Sequence, residues 1–264
     1  MVKEAGKIGL VLGAGSARGL AHIGVLQVLT ENRIPFDLMV GSSMGAMVAA
    51  VYAAGGDLYM IGKLAAAINY SAFWDVGLPR MGFMRGNKIE HFLRLVTKGK
   101  SFEDLTIPLA VVAADIETGE KVVIREGPVY RAVRASISIP GVFTPVRYHN
   151  RLLVDGAVAE RLPVSVARDL GADIVLGVDV TFSDDRKVRI RNTLDVMLQA
   201  VEILERQIFC QVTRPHATVL IQPRLGNINS NDFDRAEECV SIGRQAAEAQ
   251  LEEIKSVLTS AGRM

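Results

Sequence analysis

The pentapeptide Gly41-Ser42-Ser43-Met44-Gly45 has the form GxSxG, and the chemistry it offers is that of an activated hydroxyl. Small flanking residues let a serine occupy a strained turn between a strand and a helix, where its Oγ projects and the helix-start amides favour developing negative charge. In a glycine-rich chain the match alone is weak, so its surroundings decide. The apolar run Asp37 to Val40 precedes it and the small-residue run Ala46 to Ala54 follows it, which reads as strand, sharp turn, helix. That order puts Ser43 at the carboxyl end of a strand, with Gly41 and Gly45 as the small elbow residues and Ser42 as a structural neighbour.

A second loop of nearly all small residues, Gly13-Ala14-Gly15-Ser16-Ala17-Arg18-Gly19, follows the apolar run Ile8 to Leu12. Its backbone amides can approach a ligand oxygen closely. A dinucleotide site would require GxGxxG and an acidic residue ending the second strand. Here the spacing is GxGxxxG and Asp37 begins that strand, which weakens the dinucleotide reading. An oxyanion hole, in which each amide facing a tetrahedral intermediate is worth about 3 to 4 kcal/mol, suits a loop beside a nucleophile elbow better.

A serine hydroxyl needs a base. Of the four histidines, His22 lies in the first helical stretch, His91 on a later helix and His149 at a strand end. A triad in the chain order serine, acid, histidine leaves His216 as its one candidate, but that arrangement has several strands ahead of the elbow and here only one or two precede Ser43. Asp155, in Val154-Asp155-Gly156-Ala157 directly after the apolar Leu152 to Val154, is the better candidate. A carboxylate of pKa ~4 is a poor base in water, so such a site must hold Asp155 within hydrogen-bond reach of Ser43 and exclude solvent.

The elements that must position these groups alternate. Ile8 to Leu12 reads as a buried strand, Arg18 to Glu31 as a helix, and Asp37 to Val40 with Ala46 to Ala54 as the next strand and helix. Leu109 to Ile116 and Lys121 to Arg125 read as strands, Val146 to His149 and Leu152 to Val154 as a hairpin, and Ile174 to Val178 and Ala217 to Ile221 as closing strands. The expectation is an α/β fold in three layers, with a largely parallel central sheet of six or seven strands and helices on both faces. Helices over about Thr193 to Val212 and Phe233 to Leu258 form the C-terminal part. The stretch Asn69 to Gly99, with Phe73, Trp74 and Phe83, reads equally as a flap over the site or as a surface excursion with core anchors.

Composition narrows the function classes. The 264 residues, 49% hydrophobic, fit one large domain, and a formal charge of +1 offers no field to concentrate nucleic acid. Cys210 and Cys239 stand in no metal-ligand spacing and read as reduced core residues of a cytoplasmic protein. No His, Asp or Glu cluster points to a metal, and no cofactor is expected. The apolar start is too short for a secretory leader and no run reaches membrane-spanning length, so any membrane contact is expected to be peripheral. Arg186, Lys187, Arg189 and Arg191 could touch anionic head groups, although a solvated loop fits them better.

Together, the loop ending Ala17-Arg18-Gly19, the elbow around Ser43, the stretch Ala135-Ser136-Ile137-Ser138-Ile139-Pro140-Gly141-Val142-Phe143 and the closing Asp155-Gly156-Ala157 resemble the patatin-like phospholipases, specifically their small bacterial members. The resemblance covers about residues 8 to 180 of a single domain spanning 1 to 264, with a helical C-terminal part from about 190. It implies a Ser43–Asp155 dyad, an oxyanion hole made by the Gly15 and Ser16 amides, and a bracing role for Arg18 in a loop that includes Gly13, Ala14, Ala17 and Gly19. Where the family usually has three consecutive glycines, this chain has Ala14, Gly15 and Ser16. Lipid or other acyl esters are the implied substrates. A soluble carboxylesterase or thioesterase and a non-catalytic regulator of the same fold are the competing readings, and oligomeric state is left open.

Overall fold

The computed structural model describes residues 6–73, 75, 81–181, 190 and 193–264, the side chains of Leu194, Asp195, Leu198, Val212, Thr213 and Pro215 excepted. Its strands are β1 (Ile8–Leu12), β2 (Leu38–Ser42), β3 (Gly82–Met84), β4 (Leu109–Asp115), β5 (Lys121–Ile124), β6 (Gly141–Phe143), β7 (Val146–Tyr148), β8 (Arg151–Asp155), β9 (Ile174–Val178) and β10 (Val219–Ile221). The helices are α1 (Ala21–Glu31), α2 (Met44–Ala53), α3 (Leu58–Ala67), α4 (Asn87–Val96), α5 (Val129–Ser136), α6 (Ala157–Glu160), α7 (Val164–Asp169), α8 (Thr193–Ile208) and α9 (Ala236–Ser260).

Eight strands form one sheet along the path β10-β9-β1-β2-β4-β8-β7, with β5 also on β4, while β3 and β6 pair separately. β10, β9, β1, β2 and β4 run parallel; β5, β7 and β8 are antiparallel to their neighbours. This is the expected α/β class. β1, β2, β4 and β9 are buried along their whole length, as strands covered by helices on both faces must be. One cluster packs α1, α2, α5 and α9 on one face, and a smaller cluster packs α7 on the other. On the first face α9 lies so close to α1 that a side chain at Gly24 would meet the Val240 carbonyl.

One detail of register builds the functional end of the sheet. β2 follows β4 as far as the Ser42–Val112 pair, and β8 takes up β4 at Ala113–Asp155, the next residue along. Because Val111 to Ala114 are already paired with β5, β5 must occupy the other edge of β4, and β2 and β8 share one edge. Two strands running in opposite directions therefore meet end to end, and the residues that terminate them, Ser43 and Asp155, face each other.

Candidate active site

Ser43 sits between β2 and α2 with φ 53° and ψ −124°, a left-handed conformation that costs a non-glycine residue about 1 to 3 kcal/mol. The surroundings hold it there. Its N–H donates to Ser136 Oγ at 2.8 Å, and Ser136 Oγ donates in turn to the Val112 carbonyl at 2.6 Å. Gly41 lies in β2, and Gly45 lies in the first turn of α2, where a Cβ would fall 2.1 Å from the Leu12 carbonyl oxygen. The elbow glycine is thus required because the first loop passes directly over it. Ser42 is a buried strand residue, in keeping with a structural part.

Ser43 Oγ donates to Asp155 Oδ2 at 2.6 Å, and the other carboxylate oxygen accepts the Ala157 N–H at 2.9 Å. Both residues are buried, with 5% and 3% of their surface exposed. Burial lifts the Asp155 carboxyl from 3.8 to about 6, opposed by the bonds from Ser43 and Ala157. Desolvation, which disfavours the charged form, thereby gives this carboxylate the basicity that water denies it. The Asp155 N–H donates to the Ser138 carbonyl and the Gly156 N–H to the Ser136 carbonyl. Gly156 has no room for a side chain, since a Cβ would lie 2.2 Å from the Val112 carbonyl.

The segment after α5 therefore supports both chemical groups at once. Arg134 locks it: its guanidinium is buried and donates to Ser138 Oγ and to the carbonyls of Gly86, Arg85 and Thr144. The stretch Ala135 to Phe143 stood out in the sequence, but the task of Ser136 and Arg134 did not, because a serine or arginine in a short helix gives no sign of pointing inward.

In the first loop, the Gly13, Ala14, Ala17 and Arg18 N–H groups donate to the carbonyls of Val178, Arg161, Ser230 and Gly15. Among the described residues the Gly15 and Ser16 amides donate to no carbonyl, and Ser16, with φ 50°, is the one loop residue that is not buried. Ala17 and Gly19 lie in the buried 3-10 turn Ser16–Leu20. Arg18 is buried and its Nη2 reaches Glu202 Oε1 on α8 at 3.2 Å. Arg18 thus joins the loop to α8, a helix whose sequence gives no sign of a connection with the site.

Glu205, one turn further along α8, is mostly buried; burial and the nearby Asp155 charge push its carboxyl up to about 8, against the pull of Arg161. Asp155 ionises first, so it feels a neutral Glu205, whereas Glu205 must ionise beside a carboxylate that is already charged. α8 packs against α6, and just beyond it the buried Phe209 lies 4.5 Å beneath the Arg161 guanidinium. A helix with two inward carboxylates does not announce a site in sequence; the only available signal was their spacing of three residues on one helix face.

The histidines do none of this work. His216 stands before β10, and β10 runs parallel to β2 three strands away, so it lies at the opposite end of the sheet from Ser43. His22 is buried, is driven down to about 4 by desolvation and is therefore neutral, and bonds through Nε2 to the Gly13 carbonyl at 2.8 Å. Asp37 accepts the Ile8 N–H and pairs with Arg263 at the amino-terminal end of the sheet, remote from the glycine loop where a ribose would need it. Cys239 is buried, but Cys210, expected in the core, is exposed. Among the described residues no three His, Cys, Asp or Glu side chains form a metal-binding group, and no helix is long and apolar enough to cross a membrane. Of the flap stretch, Tyr70 stacks on Phe233 and Phe73 packs on Phe92 as anchors, whereas Phe83 is exposed. Trp74 and the basic residues Arg186, Lys187, Arg189 and Arg191 lie outside the described residues.

Residues 10–168 match the family model of the patatin-like phospholipases. An uncharacterized NTE family protein of Mycobacterium tuberculosis is 36% identical over 67% of this chain and 50% of its own length. A second one from that organism is 30% identical over 93% of this chain and 46% of its own. The chain thus spans about half the length of these curated relatives. Among solved structures, VipD from Legionella pneumophila superposes with a TM-score of 0.62 at 13% identity, covering 94% of this chain and 67% of that one. The type III effector protein ExoU gives 0.54 at 14% identity, covering 95% and 53%. Likeness at such low identity is a likeness of fold.

Proposed function

The chain belongs to the patatin-like phospholipase family, and from that membership we propose that it hydrolyses lipid acyl esters with Ser43 as nucleophile and Asp155 as its only side-chain base. The observation that carries the reading is the 2.6 Å hydrogen bond from Ser43 Oγ to a carboxylate that burial has made more basic. Ser43 Oγ attacks the ester carbonyl carbon while its proton passes to Asp155, and the carbonyl oxygen becomes an oxyanion held by the Gly15 and Ser16 amides. Collapse breaks the ester C–O bond, with Asp155 returning the proton to the leaving alcohol. Asp155 then takes a proton from water, which attacks the acyl-Ser43 ester, and the carboxylic acid leaves as Ser43 recovers its proton.

The test is hydrolysis of p-nitrophenyl esters of graded chain length and of phospholipid by wild type, Ser43→Ala, Asp155→Asn and His216→Ala. Ser43→Ala and Asp155→Asn are expected to lose on the order of 10⁴-fold in kcat, and His216→Ala to keep wild-type turnover. Retained turnover in Asp155→Asn would sink the dyad. A preference for acyl thioesters or short soluble esters over phospholipid would keep the chemistry and replace the substrate class.

A further inference from the structure

The described side chains of α8 reverse the usual polarity of a surface helix. Its described inward side carries Glu202, bound to Arg18 of the first loop, and Glu205, which shares a desolvated space with Asp155. Its outward side carries Val196, Met197, Val201, Ile203, Leu204 and Ile208, every one of them exposed, Met197 and Leu204 by 63% and 64%. At 100° per residue these six positions fall on one broad arc, and that arc holds no carboxylate among the described side chains. A surface helix of a water-soluble protein places its apolar stripe against the core. Among its described side chains, this one places carboxylates there and offers an apolar stripe to the outside.

An outward apolar stripe implies an occupant, and two arguments select it. Sixteen residues make a strip about 24 Å long and about 10 Å wide, a single narrow helix face rather than the patch of roughly 20–30 residues a side that a stable protein interface uses. A bilayer needs no such matched area, because apolar side chains gain simply by entering the acyl boundary. Charge agrees: Arg206 in the last turn of α8 and Arg214 just beyond it in the chain are exposed cations, the sign that lipid phosphates attract.

We propose that the outward face of α8 is the surface by which the protein seats itself on a phospholipid bilayer, with the candidate active site directly behind it. The proposal rests on the acyl-hydrolase reading only for the benefit of docking there. Ser43 is nearly closed to solvent, and the helix tied to the first loop through the Arg18–Glu202 pair is the one that would enter the interface. Docking then brings the cover to the lipid and gives α8 a partner to move toward, so that ester is delivered from the bilayer rather than from bulk water.

Binding is measured with Ser43→Ala protein, so that it does not depend on turnover, by co-sedimentation with vesicles of phosphatidylcholine and phosphatidylglycerol. Ser43→Ala is expected to partition onto the vesicles, and Met197→Glu/Leu204→Glu in that background to lose on the order of a hundredfold, about tenfold per side chain. The uncharged pair Met197→Gln/Leu204→Gln should lose less and keeps the test meaningful if added charge disturbs the helix. In the Ser43 background, the Met197/Leu204 variants should hydrolyse dissolved monomeric ester like wild type and lose the rise in rate seen when ester aggregates. Equal partition of parent and variants overturns the proposal. So does a concentration-dependent dimer in sedimentation velocity that the same substitutions abolish, since a second copy would then cover the face. Vesicle binding without any ester hydrolysis by wild type would leave the docking surface standing and remove the hydrolase reading instead.

Discussion

The two sides of the candidate site are built by opposite rules. Beneath Ser43 and Asp155, the segment from Arg134 to Ser138 buries polar groups and satisfies them against backbone: Ser136 serves both the Ser43 N–H and the Val112 carbonyl, and Arg134 closes four bonds. Above them, α8 turns two carboxylates toward the site and leaves six large apolar side chains in water. The lower side specifies geometry, where an unmet bond costs about 1 to 3 kcal/mol and a moved atom costs rate. Among the described residues the upper side is held by the Arg18–Glu202 pair, the buried Phe209 and the packing of α8 on α6, with an apolar face turned outward.

That contrast is broken most severely at Asp155, which the lower side holds by hydrogen bonds and whose charge acts on Glu205 of α8. Burial raises its folded-state pKa from 3.8 to about 6, so its favourable contribution to stability is present below about 3.8 and is lost as pH rises through about 6. The ionised carboxylate required for base catalysis therefore weakens the fold by about 3 kcal/mol at pH 8, on ~1.4 kcal/mol per tenfold. Asp155→Asn should gain up to that amount at pH 8 in denaturant melts, gain little at pH 4, and have no turnover at either. Wild-type kcat/KM should fall tenfold per pH unit below about 6, the limb on which Asp155 carries a proton. Equal melting of the variant and wild type at pH 8 would mean that the site is wetter than its burial implies.

Next in size is a paired comparison of the two sides. Ser136→Ala leaves the Ser43 N–H and the Val112 carbonyl without their shared hydroxyl, and should cost about 1 to 3 kcal/mol of stability and lower kcat more than it raises KM. Leu204→Gln, on the outward face of α8, should change stability by no more than about 0.5 kcal/mol. If Leu204→Gln destabilised as much as Ser136→Ala, α8 would be part of the core and the contrast would dissolve.

This division also explains what could be read from sequence. Ser43, Asp155 and the small-residue loop were legible because strained turns and close backbone approach restrict residue type, and β1, β2, β4 and β9 were legible as unbroken apolar runs. α5 was missed, since Val129–Ser136 is short and carries two arginines, one of them turned inward. The helix after Arg18 was read as one piece, whereas a 3-10 turn, Ser16–Leu20, precedes α1 and keeps the loop compact. The end-to-end meeting of β2 and β8 depends on register between strands more than 100 residues apart, which no local pattern encodes. α8 was placed nearly where it stands, but its periodicity says only that one face is apolar and not which way that face points.

A last test asks what holds α8 down. Glu205 faces Asp155, Arg161, Glu202 and Arg18, and its pKa is raised from 4.5 to about 8. A raised carboxyl contributes to docking of the helix below its ordinary pKa and loses that contribution as pH climbs through about 8. Hydrogen exchange of the α8 amides, corrected for the intrinsic rate, should therefore quicken between pH 6 and pH 9 in wild type while α9 stays unchanged. Glu205→Gln removes the charge but keeps the shape, so its α8 should exchange alike at both ends of that range and more slowly than wild type at the upper end. The variant should match wild type in turnover at pH 6, where Glu205 is already neutral. Identical pH dependence in the two proteins would show that the neighbourhood of Glu205 and Asp155 has no part in seating the helix, leaving Arg18–Glu202 and Phe209 to hold it.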